Sequence, residues 1–281
     1  MIAARTLVIN VDDIGLHPAV RRAVEHLAER GAVTSASVLA NGPDTDAIRP
    51  YGSVSLGAHL NILRGAPLSP AREVRSLVDA RGLFVGSWAK LAARVAIGAV
   101  DLDEVRLEWT RQVRALLDRG LALSHADGEK HTQCFPPLFT VACEVAEAHG
   151  IPFVRLSDER FGNPAFGTAA LRRATLRALC AASRKTAGVR TPHAVWGIAE
   201  QGAALTAAAC MRALARVDAG IVEVVCHPGL RSQRDPELPA SFGRMRVHGL
   251  WEPEFHSLAT GEWRARAEAA GWRLAGFDAV S

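Results

Sequence analysis

The chain has 281 residues, 49% hydrophobic and 22% charged, a length and balance that exclude a disordered or fibrous chain and suit one large α/β domain or two ordinary ones. The formal net charge of +4 comes from arginines scattered along the sequence rather than from a basic block. No nucleic-acid partner is therefore expected.

In chain order, TLVINV at 6–11 is a short β-branched run that ends at Asp12 and predicts a strand. Gly15 and Pro18 then lead into a helical pattern over 19–30. The unit recurs. AVTSASVLA at 32–40 predicts a strand with a helix after Pro43, and VSLGAHLNI at 54–62 a strand followed by an irregular excursion over 61–86. LALSHAD at 121–127 predicts a strand with a helix from about 137, and IPFVRLS at 151–157 a strand with a helix near 167–184. The basic stretch RRATLRALCAASRK at 172–185 falls in that helix, with the Ala/Leu spacing of an amphipathic element and a solvated face. VWGIA at 195–199, a helix near 204–216, the strand AGIVEVVCHPG at 219–229 and a second long loop over 231–252 complete the reading.

This alternation specifies a mostly parallel sheet with helical crossovers. Asp12, Asp13, His59, His125, Asp127 and His227 all fall at the end of an apolar run or just beyond it. Convergence from many strand ends is what a β/α barrel needs, whereas an open doubly wound sheet concentrates its site at one switch point. No phosphate-type glycine fingerprint follows the first strand, and no repeat or Ser/Gly linker divides the chain. The expectation is a single domain over 1–281: an irregular TIM-like (β/α) barrel with long loops over its C-terminal face.

The five cysteines, Cys134, Cys143, Cys180, Cys210 and Cys226, form no CxxC pair and suggest neither a disulfide framework nor a zinc ribbon. They suit a reducing cytoplasm, which is the expected location. The apolar part of MIAARTLVINVDD is too short for a signal peptide, and no window approaches the roughly twenty apolar residues of a membrane span.

Asp12 and Asp13 are adjacent carboxylates at a strand end, where burial is costly without a cation or donors. They read either as turn or helix caps, or as a pair in which one binds metal and the other acts as base. His59 interrupts an apolar strand and reads as a satisfied core residue or as a ligand. Its company is SHADGEKHTQCFP at 124–136, where His125, Asp127, Glu129, His131 and Gln133 occupy alternate positions. If extended, the stretch presents all five to one side, although Gly128 permits a turn. Imidazole and carboxylate together suit one divalent metal ion such as zinc. His227, between a strand and a Pro-Gly stop, reads as a turn histidine or as a general acid. Cys226 and His227 point to opposite faces of the strand, which disfavours a thiol nucleophile.

These motifs, VINVDDIGLHPAVRRAV, GAVTSASVLANG, LGAHLNILRGAPL, SHADGEKHTQCFPPLF, GIPFVRLSDE, VWGIAEQGAALT and EVVCHPG, lie in an order and spacing that resembles the YdjC-like (ChbG-type) carbohydrate deacetylases over nearly the whole chain. The resemblance implies a barrel holding one divalent metal, magnesium or zinc, that removes acetyl groups from N-acetylated sugars. Carried over by position, it makes Asp13 and His59 metal ligands, Asp12 the base, and His227 an acid or polariser. The family usually reads HxDxHxHxH. This chain has Glu129 where the second histidine ligand is expected, so Glu129 or a shifted His131 becomes the third ligand. His125, Asp127 and Arg155 are candidates for contact with the sugar; Arg155 equally reads as a salt-bridge partner or as the residue holding Asp12. Trp88, Trp196 and Trp251 read as stacking surfaces or as core. Two alternatives remain open, a hydrolase of another amide or ester and a catalytically silent sugar-binding barrel. The expected partner is a small N-acetylated sugar or oligosaccharide; a homodimer is compatible with the sequence, which does not fix the assembly.

Overall fold

A computed structural model describes residues 5–163, 166–183, 189–218, 220–243 and 249–280. The chain opens with β1 (Arg5–Ile14) and α1 (Pro18–Glu29), whose first turn carries Pro18 and is capped by His17 Nδ1 accepting from Ala19 N. Helix α1 buries Ala19, Val20, Ala23, Val24 and Leu27, one stripe at helical spacing. Then come β2 (Ser35–Val38), β3 (Ser55–Leu60), α2 (Trp88–Ala96), α3 (Leu102–Leu117) and β4 (Leu123–Gly128). The order continues with α4 (Pro136–Ala148), β5 (Phe153–Val154), α5 (Gly167–Ser183), β6 (Ala194–Trp196), α6 (Ala207–Ala213) and β7 (Gly220–Cys226). It closes with α7 (Trp251–Ala259), α8 (Glu262–Ala269) and β8 (Arg273–Leu274).

Every strand pair is parallel, in the order β5-β4-β3-β2-β1-β7-β6. β7 lines one side of β1 from Arg5 to Val11, so β8, paired at Thr6 and Leu7, takes the other side ahead of β2. β5 and β6 do not form a ladder with each other. Among the described residues that seam is spanned by a bridge from Phe153 to Arg190, a hydrogen bond from Val195 N to Asp158 O (3.2 Å) and bonds from Gly197 N, Ile198 N and Ala199 N to the Glu159 carboxylate. The sheet is thus a half-barrel, a form consistent with the barrel-like fold expected from the sequence.

Period-two alternation builds the two faces. Leu7, Ile9 and Val11 of β1 point outward into the apolar layer shared with the helices. Val8 points inward with Phe153 and Phe277, a separate apolar plug that the C-terminal segment inserts at the bottom of the half-barrel. Phe277 N donates to Ser55 Oγ (3.0 Å), and its ring lies 4.5 Å from that of His125. Above this plug the inward positions become polar: Asn10 and Asp12, Ser35 and Ser37, His125 and Asp127. A side chain at Gly57 would place its Cβ 2.4 Å from the His125 ring, so glycine makes room for that imidazole.

Other expectations are corrected. After Pro43 there is only a single turn, Thr45–Ala47, because Thr45 Oγ bonds Leu39 O and Gly42 O and closes the chain on itself. The excursion over 61–86 is irregular, as expected, but α2 and α3 follow it where no helices were anticipated. β4 stops at Gly128, and Lys130 and His131 adopt left-handed φ of 50° and 58°. The five alternating residues therefore do not share one extended face: His125 and Asp127 do, while Glu129, His131 and Gln133 lie in the turn beyond. Residues 184–185 of the basic stretch and 244–248 of the second loop lie outside the described residues. Among the described residues no helix is long and apolar enough to cross a membrane.

Candidate metal centre

Asp12 and Asp13 should diverge, since neighbours on a strand face opposite ways. Asp13 instead has φ 67°, a left-handed conformation uncommon outside glycine, Asn and Asp, and this rotation brings both carboxylates to the same cavity. The cavity encloses about 540 Å³ over the C-terminal strand ends. Its floor holds Asp12, Asp13, His59, Glu129, His131 and His227, and Trp88, Leu171, Leu176 and Leu250 supply an apolar wall.

His59, the second-last residue of β3, organises the floor. Its Nδ1 lies 2.7 Å from Asp127 Oδ1, while Nε2 faces Asp13 Oδ1 at 3.3 Å and Glu129 Oε2 at 3.8 Å. Arg64 Nε approaches the other Glu129 oxygen at 3.5 Å. Beneath this tier, the fully buried Arg155 serves three carboxylates. Nη1 and Nη2 donate to the two Asp12 oxygens at 2.8 and 2.7 Å, Nη2 lies 2.6 Å from Asp127 Oδ2, and Nε and Nη2 donate to Glu223 Oε1 at 2.9 and 2.6 Å. Asn10 Nδ2 also donates to Asp12 Oδ1 (2.8 Å), and Ser37 Oγ to Asp127 Oδ2 (2.6 Å).

Burial opposes every charge here, and the partners decide the outcome. For Asp12 and Asp127 the Arg155 guanidinium outweighs burial and holds both below the ordinary carboxylate range. Burial likewise works against Glu129, but the His59 contact and Arg64 hold it low. Asp13 goes the other way: burial, reinforced by the Glu129 carboxylate, pushes it up despite His59. Burial would depress His59, yet Asp127, Asp13 and Glu129 raise it well above an ordinary imidazole. Glu223, buried with one oxygen unpartnered, is pushed up to about 7 against the pull of Arg155. Burial drives His125 down to about 4 and His131 to about 3, so both are neutral imidazoles.

Two groups of side chains could hold a cation among the described residues, with ligand atoms all within 4.8 Å of one another: Asp13, His59 and Glu129, and Asp12, His59 and Asp127. The second is already filled by the guanidinium and by His59 Nδ1. The first fits a metal better. Asp13 Oδ1 is buried without a hydrogen-bond partner, and Asp127 occupies Nδ1 of His59, leaving Nε2 toward the other two ligands. A carboxylate that fixes the distal nitrogen of a ligand histidine is a recurrent second layer of metal sites.

The candidate residues are thus separated by depth. Asp12, Asp13, His59, Glu129, His131 and His227 line the cavity, and His131 stands outside both groups with Nδ1 3.0 Å from Ser157 Oγ. His125, Asp127 and Arg155 do not line it. They lie underneath, His125 between Ser124 Oγ (3.0 Å) and Ser37 Oγ (3.1 Å). Trp88 reaches the cavity, whereas Trp196 packs on Trp263 and Trp251 on His17. Sequence reasoning missed Asn10, Ser37, Arg64 and Glu223. A lone carboxylate inside GIVEVVC was a usable sign for Glu223.

Fold and floor together define an α/β half-barrel protein with a buried carboxylate–imidazole centre at its C-terminal strand ends. The family model described as YdjC-like protein matches residues 6–269, and the chain belongs to that family. It is similar to proteins named carbohydrate deacetylase from Homo sapiens, 34% identical over 80% of this chain and 75% of the relative, and from Mus musculus, 30% identical over 97% and 94%. Its fold is that of a proposed cellobiose-phosphate cleavage protein from Enterococcus faecalis V583, with a TM-score of 0.73, 22% identity, and 99% and 100% of the two chains covered.

Proposed function

We propose that the chain is a metal-dependent hydrolase that removes acetyl groups from N-acetylated sugars. The observation that carries this reading is the Asp13–His59–Glu129 triangle on the cavity floor, with Asp127 behind His59. Membership of the YdjC-like family and the carbohydrate deacetylase names of two relatives supply the sugar and the acetyl group.

Asp13, His59 and Glu129 would hold a divalent ion, magnesium or zinc, which would supply Lewis acidity toward the acetyl carbonyl. The protein's own groups do the rest. Asp127 keeps the His59 ring in place. Asp12, pinned by Arg155 and Asn10 yet open to the cavity, is positioned to take a proton from the attacking water. His227 returns a proton to the sugar amine as the C–N bond breaks. Trp88, Leu171 and Leu250 give the sugar ring an apolar wall, and neutral His131 offers a cavity-facing polar edge. The reaction suits a cytoplasmic enzyme of sugar metabolism acting on small oligosaccharides.

The test is acetate release by chelator-stripped protein reloaded with magnesium, zinc, manganese or cobalt, comparing N-acetylated sugars with simple amides and esters. Metal-restored acetate release from sugars is expected. Cleavage of another amide or ester with no acetate from any sugar, or turnover indifferent to chelation, overturns the reading.

A further inference from the structure

His227 follows β7 at the cavity, and its Nδ1 is buried with no hydrogen-bond partner. The group it faces is Glu254 in the first turn of α7, a side chain with no exposure at all. Glu254 Oε2 accepts from His227 N at 2.5 Å and lies 3.9 Å from His227 Nδ1, while Oε1 accepts from Gly202 N at 2.7 Å. One carboxylate thereby joins the histidine turn to the segment carrying Gln201, another cavity residue. The placement is rigid: Gly229 N donates to Trp251 O (3.0 Å), and a Cβ at Gly229 would fall 2.5 Å from the Trp251 side chain.

We infer that Glu254 is a positioning residue that keeps a proton on Nδ1 of His227 and so presents the opposite ring nitrogen, Nε2, to the cavity. The inference rests on the hydrolase reading and deepens it by naming the partner of its proton donor. At 3.9 Å the Glu254–Nδ1 contact is longer than a hydrogen bond. Catalytic hydrogen bonds are often long in free enzymes and tighten once the ring is charged or substrate is bound. A carboxylate beside one nitrogen stabilises the imidazolium and selects which nitrogen keeps its proton after transfer. Both Glu254 oxygens already accept backbone N–H groups, which favours the ionised form; burial pushes its carboxyl up, and His227 acts against that. Asp12, Asp13 and His131 also lie within electrostatic range of His227 across the cavity floor.

The decisive measurement is the His227 tautomer by long-range proton–nitrogen NMR on the intact protein, assigned by loss of its signals in His227→Gln. The neutral wild-type ring is expected to carry its proton on Nδ1, and Glu254→Gln to lose that preference. In turnover, Glu254→Gln is expected to lower kcat by about tenfold or more with KM little changed. A wild-type ring protonated on Nε2 overturns the inference, even if the variant does not fold. So does a folded variant with the wild-type tautomer and kcat. The tautomer is read without turnover, so the absence of acetate from any sugar would sink the deacetylase reading and leave this result standing.

Discussion

Asp127→Asn is the sharpest probe of how the floor is organised. Asp127 meets three partners: one oxygen lies 2.7 Å from His59 Nδ1, while the other accepts from Ser37 Oγ (2.6 Å) and forms an ion pair with Arg155 Nη2 (2.6 Å). Asparagine cannot serve them all. With its carbonyl toward His59 it turns its amide onto Ser37 and Arg155, donor against donor. Flipped, its amide requires His59 to carry the proton on Nε2, the nitrogen that faces Asp13 and Glu129. Either way His59 loses the negative charge that would make it a strong ligand. Loss of such an outer partner typically weakens metal binding tenfold to a hundredfold, about 1.4–2.7 kcal/mol. Arg155 keeps Asp12 and Glu223, so the fold should survive. Calorimetric titration of zinc into chelator-stripped wild type and variant reads the difference, with circular dichroism confirming folding. A folded variant with unchanged Kd would refute the claim that Asp127 sets the ligand nitrogen.

Two further outcomes are expected. Glu129→Gln should weaken both magnesium and zinc, whereas Glu129→His should retain zinc and lose magnesium preferentially, because imidazole replaces a hard oxygen donor; equal losses of the two metals in Glu129→His, read by metal-dependent thermal shift, would contradict Glu129 as a ligand. Glu223 gives a pH signature. Its ordinary value of 4.5 rises to about 7 in the fold, so the native state binds more protons between those values. The stability linked to this proton is fully present below about pH 4.5 and is lost as pH rises through 7, a loss on the order of 3 kcal/mol. Urea unfolding at pH 4.5 and 7 should show a smaller decline in Glu223→Gln than in wild type, and parallel declines would remove Glu223 as its source.

Much of the site was legible because strand periodicity and burial are local properties. Asp12, His59, Asp127 and His227 each end or follow an apolar run, and alternation alone places Asp127 inward with His125. The turn beyond Gly128 was signalled only by that glycine, and its shape was not legible, since the left-handed conformations at Lys130 and His131 arise in non-glycine residues. Helix α3 was passed over for a related reason. Its inward face carries Glu108 and Gln112, which break the apolar pattern yet are buried, because Gln112 pairs with both backbone groups of Asn61 and Glu108 accepts from Leu68 and Ser69 N. The helix is thus patterned for the backbone of the excursion over 61–86, and that backbone is invisible from the helix sequence alone. The degree of barrel closure was less legible: inward-pointing polar residues predict convergence of strand ends, whereas closure rests on β5 and β6, which have only two and three residues.

The substitution of Glu129 for the expected histidine takes on a different meaning once charge is followed through both tiers. In the lower tier Arg155 is shared by Asp12, Asp127 and Glu223, so those carboxylates are compensated internally and Glu223 drifts toward its neutral form. In the upper tier Glu129 adds a second carboxylate opposite Asp13. His59 and Arg64 answer it, yet Asp13 is pushed up by that very neighbour and keeps a buried oxygen without a donor. A histidine at 129 would relieve the crowding of Asp13 and ask less of a cation. The glutamate makes the unbound floor more strained electrostatically and gives a divalent ion more charge to neutralise. On physical grounds a cation held there would meet more negative charge than with histidine at 129, and harder cations would be favoured.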